Sequence, residues 1–184
     1  MKLPIFACLI ASLSLAPAVS TAAPASAYIG QEERDIKALS PEDVTAYLSG
    51  KGMGLARAAE LNGYAGPAHV LELATQLELT TEQRSRTEAL FAAMMSKATP
   101  LGQTLVAQER QLDRLFAAKT VTAELLASSL NEIGSIQAKL RGAHLEAHLG
   151  QVAILTAEQS ARYAQLRGYR SSRDPTGHGR PAMH

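Results

Sequence analysis

"AAKTVTAELLASSLNEIGSIQAKLRGAHLEAHLGQV", residues 117–152, decides the fold. "AKTVTAE" breaks an apolar pattern of helical period and then restarts it. From about Ala123 to Val152, Leu126, Leu130, Ile133, Ile136 and Leu140 share one stripe, the signature of a long amphipathic helix. A second long helix precedes the break. It starts at Thr80, where Thr80 and Gln83 have the spacing of a capping box. Its stripe includes Leu90, Phe91, Met94, Met95, Leu101, Leu105, Leu112, Leu115 and Phe116. From Thr80 to Ala118 it would extend about 58 Å. Pro100 lies within it, removing one backbone hydrogen bond, so a kink is expected there. Two such helices joined by a short turn form an antiparallel hairpin. No alternating Val/Ile/Thr stretch bounded by turns argues for strands. The predicted fold is all-α: a long antiparallel hairpin with short flanking helices.

Outward from the hairpin, "SPEDVTAYLSG" is a complete short helix with Ser40 as N-cap, Pro41 in the first helical position and Gly50 as the stop. A second short helix is expected from about Leu55 to Leu61, closed by Asn62-Gly63, and a third from Pro67 with Val70, Leu71, Ala74 and Leu77 on its stripe. Thr156 caps a last helix, with Tyr163 and Leu166 inward. The chain opens with Lys2, the apolar run "LPIFACLIASLSLA" and the small residues "PAVSTAAPASA". This is the pattern of a cleaved secretory signal, with Ala25-Ser26-Ala27 the favoured cleavage site and Ala23 a second. The run is too short for a stable membrane span. The organisation read from the sequence is therefore 1–27 signal peptide, 28–66 N-terminal extension, 67–169 helical hairpin, and 170–184 a Gly/Pro/Ser-rich disordered tail.

The signal carries the single cysteine, Cys8, so the mature chain has no disulfide, thiolate ligand or cysteine nucleophile. The full chain has 18 basic and 17 acidic residues; loss of Lys2 leaves them balanced. That argues against nucleic acid or an acidic membrane as partner, since both reward a positive excess. "GKGMG" lacks the preceding strand of a phosphate loop, and no nucleophile–base arrangement stands out, so an enzyme is not expected.

"LTTEQRSRTEAL" from Leu79 and "LTAEQSARYAQL" from Leu155 repeat one device: a buried leucine, a capping threonine and a returning glutamine. The two motifs, Leu79-Thr80-Thr81-Glu82-Gln83 and Leu155-Thr156-Ala157-Glu158-Gln159, bracket the hairpin. In this the chain resembles the periplasmic Spy/CpxP family, whose superfamily includes zinc-resistance-associated and heavy-metal-resistance periplasmic proteins. The resemblance implies a thin curved hairpin, usually a homodimer, and no enzymatic activity or required cofactor. It implies an envelope-stress protein that binds unfolded or misfolded periplasmic proteins, or that acts on a stress sensor. On the client-binding reading, Leu101, Leu105, Leu112 and Phe116 would line the surface. The rival reading is a periplasmic sensor or resistance protein for zinc, nickel, cobalt or copper.

His144 and His148 bear on that choice. Four residues apart, they share a helix face, at roughly 40° and 80° around the axis from Leu140, the angles at which Leu126 and Leu130 project. They either close the seam as neutral, hydrogen-bonded residues or ligate a divalent ion. His69 and Glu72, three apart on their own helix, precede the first motif as His144 and His148 precede the second. If the hairpin closes antiparallel, both pairs meet at its open end. The candidate metal set is His69, Glu72, His144 and His148. His178 and His184 fall in the tail and are read as incidental. Met53, Met94 and Met95 suit soft-metal or client contacts, but the helical spacing of Met94 and Met95 reads as core.

Overall fold

The computed structural model describes residues 26–169. Six helices follow in order: α1 (Pro41–Leu48), α2 (Arg57–Glu60), α3 (Pro67–Glu72), α4 (Thr81–Ala117), α5 (Ala123–Val152) and α6 (Ala157–Leu166). The segment expected to be a signal peptide, apart from its last two residues, and the expected tail with His178 and His184 lie outside the described residues. Among the described residues no helix is long and apolar enough to cross a membrane.

The hairpin is α4 against α5, helices of 37 and 30 residues. The turn is closed by Lys119 in the left-handed region and by Thr122, whose hydroxyl caps α5 at Leu125 N. α4 continues without interruption through Pro100, which faces solvent. Ala98 and Leu105 of α4 pack against Ile133, Ile136 and Leu140 of α5, and Tyr47, Leu55, Leu101 and Leu112 close over them. α1 lies across α4. Its N-cap Ser40 and Asp43 form a capping box, and the segment before it is tied down by Lys37 N donating to Asp113 Oδ1 at 3.0 Å.

Both repeated motifs are helix starts, and they meet. In each, the threonine hydroxyl accepts from the glutamine N–H and the glutamine carbonyl accepts from the threonine N–H. Gln83 Nε2 donates to Gln159 Oε1 at 2.7 Å and Gln159 Nε2 donates to Gln83 Oε1 at 3.0 Å. Each amide also donates to a carbonyl ahead of the other motif, Ile154 O and Leu77 O. This pseudo-symmetric clasp joins α4 and α6 beside a second core of Ala65, Val70, Leu77 and Tyr163.

Several expectations need correction. α2 is four residues long and α3 stops at Glu72, because the chain turns through residues 73–78 and reaches Glu78 at φ +53. Leu166 is exposed, leaving Tyr163 as the inward residue of α6. Leu130 is 51% exposed although it shares its nominal angle with buried His148. Residues 50–67 cover that side of α5 only at the open end of the hairpin, so equal angle does not give equal burial. Of the residues assigned to a client surface, Leu105 is core and Leu101 and Leu112 pack against it; Phe116 alone is exposed.

Candidate metal-binding cavity

α5 buries its small residues Ala143 and Ala147 and, one step round, its two histidines. That step turns His144 and His148 toward the N-terminal segment. The backbone of that segment can approach both rings because glycine stands at each crossing. A Cβ on Gly52 would lie 3.3 Å from His144 Nδ1, and one on Gly66 would lie 2.7 Å from His148 Cε1. Between this cover and the hairpin lies a largely apolar cavity of about 660 Å³. His69, His144 and His148 all line it, together with Met94 and Met95 of α4 and Met53 of the loop. The antiparallel register sets Met94 and Met95 opposite the histidines: Lys97 pairs with Glu146 at 2.9 Å, and Gln151 donates to Thr87 at 3.1 Å.

The three imidazoles are held differently. His148 Nδ1 stands 2.7 Å from Tyr64 O. A carbonyl can only accept, so Nδ1 carries the proton and the lone pair is on Nε2. His69 Nδ1 stands 2.9 Å from Glu72 Oε2, which assigns its proton in the same way. Such outer partners orient a ligating histidine and leave its other nitrogen free. Glu72 is given to His69 and is not part of the cavity lining. His144 is buried, and its Nε2 has no hydrogen-bond partner. Burial, and then the neighbouring His148, lower the His144 pKa. The ring is thereby kept neutral, the form that binds metal.

Glu60 was not singled out from the sequence, and it is the carboxylate that reaches this site. Its Oε2 lies 3.6 Å from His148 Nδ1 and has no hydrogen-bond partner. Its Oε1 accepts from Tyr163 OH at 2.5 Å and from Tyr169 OH at 3.0 Å, and lies 3.6 Å from Arg167 Nε. Burial, and then the bond to Glu60, push the Tyr163 pKa up, so its hydroxyl remains a donor. Nothing in the local sequence marks Glu60, because its partners come from α5 and from α6 and the residues after it. Thus the structure brings His69, His144 and His148 round one cavity and adds Glu60 behind His148. Among the described residues, no three His, Cys, Asp or Glu side chains stand close enough to hold an ion between them. His144 and His148 fit an ion as a pair that needs further donors.

Fold and site together define an all-α helical-hairpin protein with a histidine-lined cavity at the hairpin's open end. The chain belongs to the heavy-metal resistance family, whose model matches residues 48–162. That family lies within the Spy/CpxP-like helical superfamily. The match takes in α2 to α5, most of α6 and the three histidines, three methionines and Glu60 of the cavity. No curated protein and no solved structure matches the chain.

Proposed function

We propose that this chain is an exported, non-enzymatic metal-binding protein that acts as a periplasmic sensor or buffer in heavy-metal resistance. The observation that carries this reading is the His144/His148 pair: two buried imidazoles one helical turn apart on the wall of a cavity. His144 Nε2 lacks a partner, and the proton of His148 is held on Nδ1 by Tyr64. A buried polar atom with no hydrogen bond costs about 1–3 kcal/mol, and a bound ion removes that cost at His144. His69, with Glu72 behind it, stands at the same cavity as an additional imidazole. The family match favours this reading over client binding. The client reading also loses its surface, since Leu105 is core and Leu101 and Leu112 pack against it. The paired L-T-x-x-Q motifs and the N-terminal signal pattern support Spy/CpxP-type kinship and export.

The test is isothermal titration of the purified protein with zinc, nickel, cobalt and copper(II). At least one ion should bind with one-to-one stoichiometry and raise the melting temperature, because an ion bound only to the folded state stabilises it by mass action. His144→Ala and His148→Ala should abolish both effects, and His178→Ala should change neither. Melting curves that coincide with and without every one of these ions, and likewise with silver(I), at concentrations well above micromolar, would dismiss the metal reading.

A further inference from the structure

Three of the chain's five methionines and three of its five histidines line the one cavity. We propose that the ion this cavity selects is a soft monovalent one, copper(I) or silver(I), held by His144 and His148 together with the thioethers of Met94 and Met95. This rests on the metal reading and narrows it.

Three observations carry the inference. First, the imidazole pair lacks the oxygen donors that a divalent ion would ordinarily recruit. Among the described residues no third His, Asp or Glu joins the pair closely enough to hold an ion. Glu72 is committed to His69, and Glu60 Oε1 to two tyrosine hydroxyls with Arg167 Nε nearby; the unpartnered Glu60 Oε2 lies 3.6 Å from His148 Nδ1, on the protonated side of that ring and not at its Nε2 lone pair. The donors that do face the pair, in register across the hairpin, are sulfur. Thioethers are soft ligands and select copper(I), whereas hard or hydrated ions prefer carboxylate and water.

Secondly, the electrostatics disfavour a dication. The lining is mostly apolar, and its charged side chains, Lys51, Arg57 and Glu60, leave it net positive. An ion bound there by neutral imidazole and thioether keeps its full charge. Desolvation cost rises with the square of that charge, and repulsion by the net positive lining rises in proportion to it. A monovalent ion incurs much less of both. Thirdly, Met94 is buried and lies on the α4 stripe, so its thioether is held at the cavity wall. Met53 sits on the covering loop at φ +44, a backbone conformation rarely adopted by a residue with a side chain. It places a third thioether at the cavity mouth.

Silver(I), which is inert to redox change under these conditions, is the probe, supplied as the nitrate in chloride-free buffer. The protein is the full chain carrying Cys8→Ser, so that no thiol competes. Native mass spectrometry should show one silver ion per chain, and competition titration should place its affinity at least about tenfold above that of zinc, a difference of about 1.4 kcal/mol. With methionine methyl groups labelled with carbon-13, the Met94 and Met95 signals should shift stoichiometrically with silver and not with zinc. Met94→Leu/Met95→Leu keeps volume and apolarity and should lose at least about tenfold in silver affinity with zinc affinity unchanged. Should the double variant fail to fold, each single variant and the methyl spectra of the parent chain carry the same test. Zinc, nickel or cobalt binding tighter than silver, or methyl signals unmoved by bound silver, would overturn the inference while leaving the metal reading intact. Binding of neither silver nor any divalent ion would overturn both.

Discussion

The glutamine clasp between the two L-T-x-x-Q motifs makes a quantitative prediction. Gln83 takes part in four side-chain hydrogen bonds: from Thr80 N, to Ile154 O, and one in each direction with Gln159. Gln159 likewise takes part in four: from Thr156 N, to Leu77 O, and the same two with Gln83. Replacing either by methionine keeps the length of the side chain and removes its four bonds. Removing both loses six bonds and not eight, because two are shared. At about 1 kcal/mol net per bond, reduced where water can substitute at these half-buried atoms, each single variant should lose about 2–4 kcal/mol. The double variant should be less damaging than the sum of the singles by about 1–2 kcal/mol, the value of the shared pair. Urea unfolding followed by far-ultraviolet circular dichroism, at one protein concentration for all four proteins, measures the cycle. Additivity of the two singles to within about 0.5 kcal/mol would refute the clasp as a coupled unit.

Three further outcomes are expected. Gly66→Ala should push the His148 ring out of place, since the new methyl would sit 2.7 Å from Cε1; a loss of about 1–3 kcal/mol together with loss of metal binding is expected, and unchanged metal affinity would count against the role of the glycine. Metal-free protein should lose stability as pH falls below the ordinary histidine value near 6.5, because the unfolded chain protonates His144 before the folded chain does. The His144 contribution is complete above that value and lost as pH falls through its depressed folded value. Melting of His144→Gln should lack this component, and curves of parent and variant that run parallel from about pH 7.5 to 5.5 would contradict it. Finally, Phe116, Leu125, Leu130 and Leu149 are exposed apolar side chains on the hairpin, and a thin two-helix layer covers little core by itself; sedimentation should find a homodimer at micromolar concentration, and a stable folded monomer there would refute it.

Helix positions were legible in the sequence wherever local chemistry decides them. Ser40-Pro41, Thr80 with Gln83 and Thr156 with Gln159 satisfy free N–H groups within one turn, so the starts of α1, α4 and α6 and the extent of α5 follow from neighbouring residues alone. The antiparallel hairpin follows as well, because two apolar stripes separated by a short polar turn have only each other to cover. That the two motifs meet at the open end follows in turn from the hairpin. What each residue faces there does not. His148 is buried and Leu130 is not, at nearly the same helical angle, because a segment about 80 residues upstream of His148 covers one and leaves the other bare. Glu72 has the spacing of a ligand but is spent on His69. Glu60, in a four-residue helix with no marked pattern, reaches His148 because Tyr163, Tyr169 and Arg167 converge on it from the far end of the chain. The helical period of Met94 and Met95 reads as core, and Met94 is buried; only the register of α4 against α5 turns those same residues toward two histidines. Capping and periodicity act over a few residues and can be read along the chain, whereas a binding cavity is a meeting of segments remote in sequence, and its composition is decided by packing.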